Sequence, residues 1–505
     1  MNRESTAPAS TGSGDDPGGD EPRGSGPTRA ELRARYGDRL RWLILVTLML
    51  GAMSSIMSST IVNVAIPDLS RHFVLGQERA QWVAASFMIA MTMSMLLTPW
   101  LLNRYGLRRT FIGTLLLLGC GGLIGGFSPT FGVMLAMRVA EGIAAGIMQP
   151  LPNIFILRAF DEREQGRAMS LFGFGVVLAP AIGPSLGGFL VELFGWRSIF
   201  FVVVPLTLAG WWMARRYMAV DSAMIGERKP LDWRGLALVG VATVSLLNGL
   251  VAMRNSAGEG VGLAIFGVVM LAVFVAWQLR APDPLMNMRL YSYRQFSAGA
   301  IVGFIYGAGL FGSTYLLPVY MQTALAYTPS AAGLVLMPAG IALAVTIAVA
   351  GRLTSRILPH KQVSFGLALL AGSFLLMATG SMATPYLLIV LYAVIGRIGL
   401  GCILPSLTLG SMRGVDFSLI AQGSSCINFL RQLGGAIGVS LAGVGLEWRL
   451  AEHGVMLGAS GQVAEQAAQA ARIRAFDETF LAVGVVIATA MLAAWRIRPR
   501  PVPGS

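Results

Sequence analysis

Three arginines and a glutamate lie inside long apolar stretches of this 505-residue chain, where ionised side chains are costly and rare. Arg138 and Glu141 are three residues apart, so on a helix they share one face. Burial favours a protonated glutamate, whereas the nearby guanidinium favours the carboxylate. A carboxylate balanced in this way can exchange a proton when water reaches it. We therefore interpret Glu141, together with Arg138, as a group that can exchange a proton; a static ion pair that locks one helix is the alternative.

Arg397 and Arg431 have no acidic neighbour within their own apolar stretches. Their counter-charges must come from elsewhere in the chain, such as Glu141, or from an anionic substrate. Both are candidates for the wall of a cavity, with a structural role as the alternative. Tyr315 and Gln322 are further candidates from an aromatic segment that suits flat lipophilic molecules, although ordinary packing uses the same residues.

The sequence lacks the patterns of several other functions. It contains no GxxxxGK[ST] phosphate loop, no HExxH and no CxxC, and its three histidines fall in predicted loops. We therefore predict no ATP hydrolysis, no enzyme activity, no metal site and no cofactor. The net charge of +13 would suggest nucleic acid binding in a soluble protein, but here the basic residues follow a membrane pattern, so we predict no nucleic acid partner.

Membrane-spanning helices must position these residues. Only 12% of the residues are charged and 55% are hydrophobic, whereas a soluble domain has about a quarter of its residues charged. A bilayer core about 30 Å thick needs about 20 apolar residues as a helix. Fourteen segments qualify: 41–66, 82–102, 110–128, 132–157, 168–190, 199–218, 235–253, 261–280, 297–319, 330–350, 363–381, 385–409, 420–446 and 477–496.

The distribution of Lys and Arg predicts the orientation. With both termini in the cytoplasm, 28 of the 38 basic residues lie in cytoplasmic segments, 7 in outer loops and 3 within spans. Basic loops recur after the second and tenth spans, which indicates two six-helix lobes with a substrate path between them. The predicted organisation is a disordered basic N-terminus (1–40), an N-terminal lobe (41–218), a linker with two extra transmembrane helices (219–294), a C-terminal lobe (295–497) and a cytoplasmic tail (498–505).

Four stretches resemble the fourteen-helix drug–proton antiporters of the major facilitator superfamily: STIVNVAIP (59–67), PWLLNRYGLRR (99–109), RVAEGIAAG (138–146) and LAPAIGPSLGG (178–188). The resemblance implies an all-α integral membrane protein with the major facilitator fold. It implies a secondary exporter of drugs or other small amphiphilic molecules across the cytoplasmic (inner) membrane, by proton antiport with alternating access. A dedicated exporter of one metabolite, lipid or siderophore, and a transport-inactive sensor or assembly protein on the same scaffold, are the alternatives.

The fifth predicted span carries the stretch that resembles exporters most specifically. Its glycines leave one face of the helix nearly bare, so another helix can approach closely, and its prolines bend the helix. We predict a conformational role for Pro180, Gly183, Pro184, Gly187 and Gly188; a general packing surface is the alternative.

The loop after the second span is the predicted inner gate, formed by Asn103, Arg104, Gly106, Arg108 and Arg109. Gly106 permits a tight turn. The resemblance implies an aspartate where Asn103 stands; the amide keeps the hydrogen bonds of that aspartate but not its charge. The alternative is that these arginines only enforce topology.

The first span departs from the family as well, because Ser58 stands where relatives usually carry an aspartate. Ser58, Thr60 and Asn63 are neutral candidates for the cavity wall, with a structural interhelical hydrogen bond favoured for Asn63. Relatives usually carry glutamine where Glu141 stands, so an acid lost from the first span and one present in the fourth suggest compensation. With the antiport that the resemblance implies, Glu141 and Arg138 become the predicted proton-coupling residues, and substrate and proton would compete for that site.

The expected partners follow from this reading. We expect a small, lipophilic substrate, protons and the lipid bilayer as partners, and a monomer. The outer segment at 447–476 is long and Ala-rich, which is compatible with a periplasmic adaptor protein.

Overall fold

A computed structural model describes residues 27–75, 77–220, 229–253, 256–354, 356–454 and 465–497. The first part of the chain forms helices α1 (Arg29–Tyr36), α2 (Arg39–His72), α3 (Gln77–Ser94), α4 (Thr98–Gly126), α5 (Phe131–Met148), α6 (Leu151–Ala159), α7 (Glu162–Phe194), α8 (Ser198–Phe201) and α9 (Val203–Tyr217). The rest forms α10 (Trp233–Ala252), α11 (Ala257–Gln278), α12 (Arg294–Thr323), α13 (Pro329–Leu353), α14 (Pro359–Met377), α15 (Tyr386–Met412), α16 (Ile420–Glu452) and α17 (Glu465–Ala494).

Helices occur at each of the fourteen predicted positions. Among the described residues, eleven helical segments are long and apolar enough to cross a membrane. One of these, at 82–126, is 45 residues long and covers two predicted spans, because α3 and α4 follow each other almost without a break. The remaining predicted positions are occupied by α7 and α14, which lie outside those eleven segments.

The N-terminal region is more ordered than its composition suggests. Helix α1 begins with a capping box, in which the Glu31 amide donates to the Thr28 hydroxyl at 3.3 Å and the Thr28 amide donates to the Glu31 carboxylate at 3.0 Å. These bonds satisfy amides that have no partner at the start of a helix. The prediction of disorder over 1–40 is therefore wrong from Arg29 onward, and the first 26 residues lie outside the described part of the chain.

The helices form two lobes with an additional helix pair. In the N-terminal lobe α2 packs on α7 and α9, while α5 packs on α3 and α4. In the C-terminal lobe α12 packs on α16, and α15 packs on α13 and α14. Helices α10 and α11 pack on each other, and α10 also touches α3 and α16. The described residues are thus all-helical, as predicted, and their packing is consistent with two lobes and an extra helix pair.

The two lobes touch where α7 begins and α13 ends. The Ser170 hydroxyl donates to the Ala348 carbonyl at 2.8 Å, and a side chain at Gly166 would overlap the Gly351 carbonyl. Near the middle of the bundle, the Gln432 amide of α16 approaches a methionine sulfur of α3 at 3.8 Å. The predicted orientation assigns the α7–α13 contact to the cytoplasmic side of the membrane.

Candidate functional site

Arg138 and Glu141 form a buried ion pair on α5. The Nη1 atom of Arg138 lies 2.6 Å from Oε2 of Glu141, and both side chains are 1% exposed. The spacing of three residues places them one helical turn apart on the same face. The two residues predicted to act together are thus in contact.

Neighbouring helices complete the surroundings of the arginine. Its Nη1 donates to the Ser58 hydroxyl of α2 at 3.2 Å, and its Nε donates to the Val83 carbonyl of α3 at 3.2 Å. The guanidinium also lies 4.3 Å from the centre of the Phe87 ring, which is a cation–π distance. Arg138 therefore ties together three helices of the N-terminal lobe.

The second oxygen of the glutamate has a different environment. Oε1 of Glu141 is buried and has no hydrogen-bond partner among the described residues. It faces α4, where a Cβ atom at Gly122 would lie 3.5 Å from Oε1 and one at Gly121 would lie 2.7 Å from Cγ of Glu141. The glycine pair makes the room that the carboxylate occupies. A buried acceptor without a partner is uncommon in folded proteins and is a place where a proton can bind.

Ser58 belongs to this buried cluster, whereas it was predicted to line the cavity. It is 2% exposed, and its hydroxyl lies 3.4 Å from Oε2 of Glu141. The small serine side chain leaves room for Glu141, and its hydroxyl donates a hydrogen bond to the carboxylate. Thr60 donates to the Ile56 carbonyl of its own helix at 3.2 Å, and Asn63 is exposed on α2.

The glycine-rich face of α7 packs against α2 of the same lobe. A Cβ atom at Gly183 would lie 2.6 Å from the Thr60 hydroxyl, and one at Gly187 would lie 2.6 Å from Cγ1 of Ile61. At both positions a larger side chain would separate the two helices. The close approach predicted from the bare face is present, and its partner is α2.

Other residues of the α7 motif are less tightly packed. A Cβ atom at Gly188 would lie 3.9 Å from Val64, which is an ordinary contact. Pro180 is exposed. The side chain of Pro184 lies outside the described side chains.

The predicted inner gate forms a turn inside α4. Gly106 adopts a φ of 73° and is buried, so the turn requires a residue without a side chain. Arg108 is 8% exposed, and its Nη2 donates to the Arg215 carbonyl of α9 at 3.5 Å. Arg104 lies over the Trp100 ring at 5.6 Å, and Arg109 is exposed.

Asn103 faces a crevice on this side of the protein. The crevice is also lined by Asp416, in the loop before α16, and by Gln422, at the start of α16. Hydrogen bonds from the Ser418 amide and hydroxyl, both at 2.9 Å, hold the pKa of Asp416 below its usual range. The carboxylates on this surface therefore come from the loop before α16 and from the segments beside α10 and α11, where Asp232 and Asp283 lie, while the N-terminal lobe contributes the neutral Asn103.

Arg431 faces a pocket between the lobes. Its Nη2 donates to Oδ1 of Asn428, one turn earlier on α16, at 2.9 Å. Both lobes line the pocket, with Gln149, Asn153, Met169, Phe172, Gly173 and Val176 from one and Ile347, Leu404, Pro405, Thr408, Asn428 and Arg431 from the other.

Arg397 lines a separate pocket inside the C-terminal lobe. It donates to the Thr314 hydroxyl of α12 at 2.8 Å, and Ser313 and Ser373 line the same pocket. Tyr315 packs beside Gly443 of α16, with its hydroxyl 3.5 Å from where a Cβ atom would stand. Gln322 is exposed near the end of α12. These two cavity candidates are not among the residues that line either arginine pocket.

Sequence reasoning missed several residues that shape these sites. Val83 and Phe87 contact Arg138 from α3, and no local pattern marks them, because the contact depends on how α3 packs against α5. Two other features could be predicted from the sequence. The glycine pair at 121–122 indicates close helix packing, and the placement of Asn428 three residues before Arg431 indicates a pair of side chains on one helix face.

This chain is similar to known transporters in both sequence and fold. The sequence profile of the Major Facilitator Superfamily matches residues 48–439. The Multidrug resistance protein B homolog of Mycobacterium tuberculosis is 30% identical over 441 residues, which cover 85% of this chain and 81% of that protein. The Multidrug export protein EmrB of Escherichia coli is 28% identical over 411 residues, 79% of each chain. The solved structure of the proton:xylose symporter XylE superposes with a TM-score of 0.62 at 13% identity, over 92% of this chain and 96% of that one. The protein therefore belongs to the major facilitator superfamily, among relatives named for multidrug efflux, and is a multi-pass membrane transporter.

Proposed function

We propose that the protein is a secondary active exporter of drugs or other small amphiphilic molecules across the cytoplasmic membrane, driven by proton antiport with alternating access. The observation that carries the proposal is the buried pair of Arg138 and Glu141, with Ser58 beside it and one glutamate oxygen unpartnered. Charged groups buried in a membrane lobe are costly and are usually kept for function.

Glu141 is the group we assign to proton exchange. Protonation at Oε1 would neutralise the carboxylate and weaken its attraction for Arg138. The guanidinium would then remain buried without a full counter-charge, which favours a rearrangement of α2 and α5 around Ser58. A conformation that hydrates the cluster from outside admits the proton, and the opposite conformation releases it to the cytoplasm. The membrane potential adds about 2.3 kcal/mol per charge for each 100 mV.

The contact between the lobes supports alternating access. Ser170 and Ala348 hold α7 and α13 together at the end that the basic residues assign to the cytoplasm. A path from the cytoplasm to the pocket beside Arg431 requires this contact to break. We therefore assign the described conformation to the cytoplasm-closed half of the cycle.

The test is transport by purified protein in liposomes with an imposed pH gradient. Glu141→Gln is expected to keep substrate binding and exchange down a gradient but to lose uphill export, because the amide cannot release a proton. Glu141→Asp is expected to retain part of the uphill rate. Glu192→Gln, at an exposed position on α7, is the matched control and should behave like the wild type.

The outcomes separate the alternatives. Normal uphill export by Glu141→Gln would place coupling elsewhere and leave Glu141 as the static partner of Arg138. Wild-type protein that moves no protons with any substrate would favour a sensor or assembly role. Activity restricted to one compound in a panel of amphiphiles would favour a dedicated exporter.

A further inference from the structure

The pocket between the lobes has one charged side chain among its lining residues, and that charge is positive. Arg431 is half-buried there, and the Gly307 position of α12 packs against its main-chain carbonyl. The only described hydrogen-bond acceptor of its guanidinium is the neutral Asn428, whose own amide donates to the Ser424 carbonyl at 2.9 Å. Asn428 thus orients the guanidinium without neutralising it.

Arg397 repeats the geometry of Arg138 without its acid. In the fourth helix of each lobe, Arg138 donates to the hydroxyl of Ser58 and Arg397 donates to the hydroxyl of Thr314. The residue three positions later is a glutamate in α5 but Leu400 in α15. The two lobes therefore share an arginine–hydroxyl pair, and the counter-charge is present in one lobe alone.

Both arginines of the C-terminal lobe lie beside α12. Tyr306 of α12 is 2% exposed, and its hydroxyl interacts electrostatically with both Arg397 and Arg431. Thr314, which accepts from Arg397, is exposed, and it lies two helical turns beyond Gly307, on the same face of α12. Both positive charges therefore lie near α12, and they line separate pockets.

The described residues contain no carboxylate that balances these charges. Neither arginine forms an ion pair with a described Asp or Glu, and no acidic residue lines either pocket. Glu141, the candidate counter-charge from the sequence, is instead held by Arg138 inside the other lobe. A cation entering this region would meet like charge, whereas an anion would supply the missing partner.

We propose that the pocket between the lobes binds the anionic group of an amphiphilic substrate, a sulfonate or carboxylate, through Arg431, with Arg397 adding to the attraction. This proposal rests on the proposed export function and names the substrate class of the same path. The polar residues from the other lobe, Gln149 and Asn153, provide amide donors for the same group.

Three probes with one pyrene ring test the charge preference: pyrene butanesulfonate, pyrene butanol and pyrene butyltrimethylammonium. Binding to purified wild-type protein is measured by pyrene fluorescence, and export is measured in liposomes with a pH gradient. We expect the sulfonate to bind at least about tenfold more tightly than the ammonium probe, as a charge-assisted hydrogen bond allows. Arg431→Gln should remove most of this preference, and Arg431→Lys should restore part of it. Arg216→Gln, an exposed site at the end of α9, loses the same charge and should leave the preference unchanged.

Each result decides one proposal. Equal or tighter binding of the ammonium probe, no measurable sulfonate binding, or an unchanged sulfonate affinity in folded Arg431→Gln protein would overturn the anion site. Pumping of the ammonium probe alone would overturn it while leaving the export function standing. Tight, arginine-dependent sulfonate binding without pH-driven movement of any probe would support the site and count against the export function.

Discussion

A side chain at Gly187 is expected to stop export while the protein still inserts into the membrane. A Cβ atom there would lie 2.6 Å from Cγ1 of Ile61 and 3.3 Å from its carbonyl oxygen. Carbon atoms in contact are normally about 3.5–4.0 Å apart, so even alanine requires the Ile61 side chain or the two helices to shift by about 1 Å. Overpacking of this kind costs about 1–3 kcal/mol, and leucine places three further carbons at the same point.

Gly188 provides the matched control for this change. A Cβ atom there would lie 3.9 Å from Val64, so Gly188→Ala should not destabilise the protein, and the higher helix propensity of alanine favours it by up to about 1 kcal/mol. The four variants with alanine or leucine at Gly187 or Gly188 are compared by membrane level, by thermal unfolding in detergent and by initial export rate in liposomes. Gly187→Leu should show wild-type membrane levels, a lower unfolding temperature and no export.

Two results would refute this reasoning. Normal export by well-expressed Gly187→Leu protein would show that the α2–α7 approach is not needed for transport. Equal losses of export and stability at both positions would show that any added side chain on α7 is harmful. The short distance to Ile61 would then not explain the effect at Gly187.

Three further predictions concern the ion pair, the α7–α13 contact and the topology. Glu141→Gln alone should lower stability by about 3–5 kcal/mol, because Arg138 stays buried without a counter-charge, and adding Arg138→Gln should recover most of the loss in thermal unfolding. Gly166→Ala should keep the lobes apart at the α7–α13 contact. A cysteine placed in the pocket between the lobes should then be labelled faster from the cytoplasmic side, and unchanged labelling would contradict closure by this contact. Reporter fusions should place Ser222 in the cytoplasm and Ser460 outside, and a cytoplasmic signal at Ser460 would contradict the orientation.

The positions of the spanning helices could be predicted because the bilayer sets their length and composition. The contact between Arg138 and Glu141 was also predictable, since it depends only on spacing along one helix. The capping box at Thr28 and Glu31 was readable too, but the Gly- and Pro-rich segment before it led to a prediction of disorder across the whole N-terminus.

Contacts between helices could not be predicted in the same way. The bare face of α7 indicates that some helix approaches it, but the choice of α2 depends on how the whole lobe packs. Ser58 joins Arg138 across 80 residues of chain, and the sequence offered only the absence of an acid at that position. Its assignment to the cavity wall failed because the rotation of α2 about its axis is a property of the assembled lobe.

The separation of charges between the lobes constrains how coupling can work. Glu141 is 1% exposed and is enclosed by α2, α4 and α5, whereas Arg431 faces the pocket between the lobes. A substrate in that pocket cannot displace a proton from Glu141 by occupying the same place, as the sequence had suggested. Proton exchange at Glu141 and substrate binding must then be linked through a conformational change of the N-terminal lobe. Helix α2 can transmit this change, because it carries Ser58 and also packs against the glycines of α7. A substitution that loosens the α2–α7 contact should then uncouple proton flow from export before it weakens substrate binding, because the binding arginines lie on the opposite lobe.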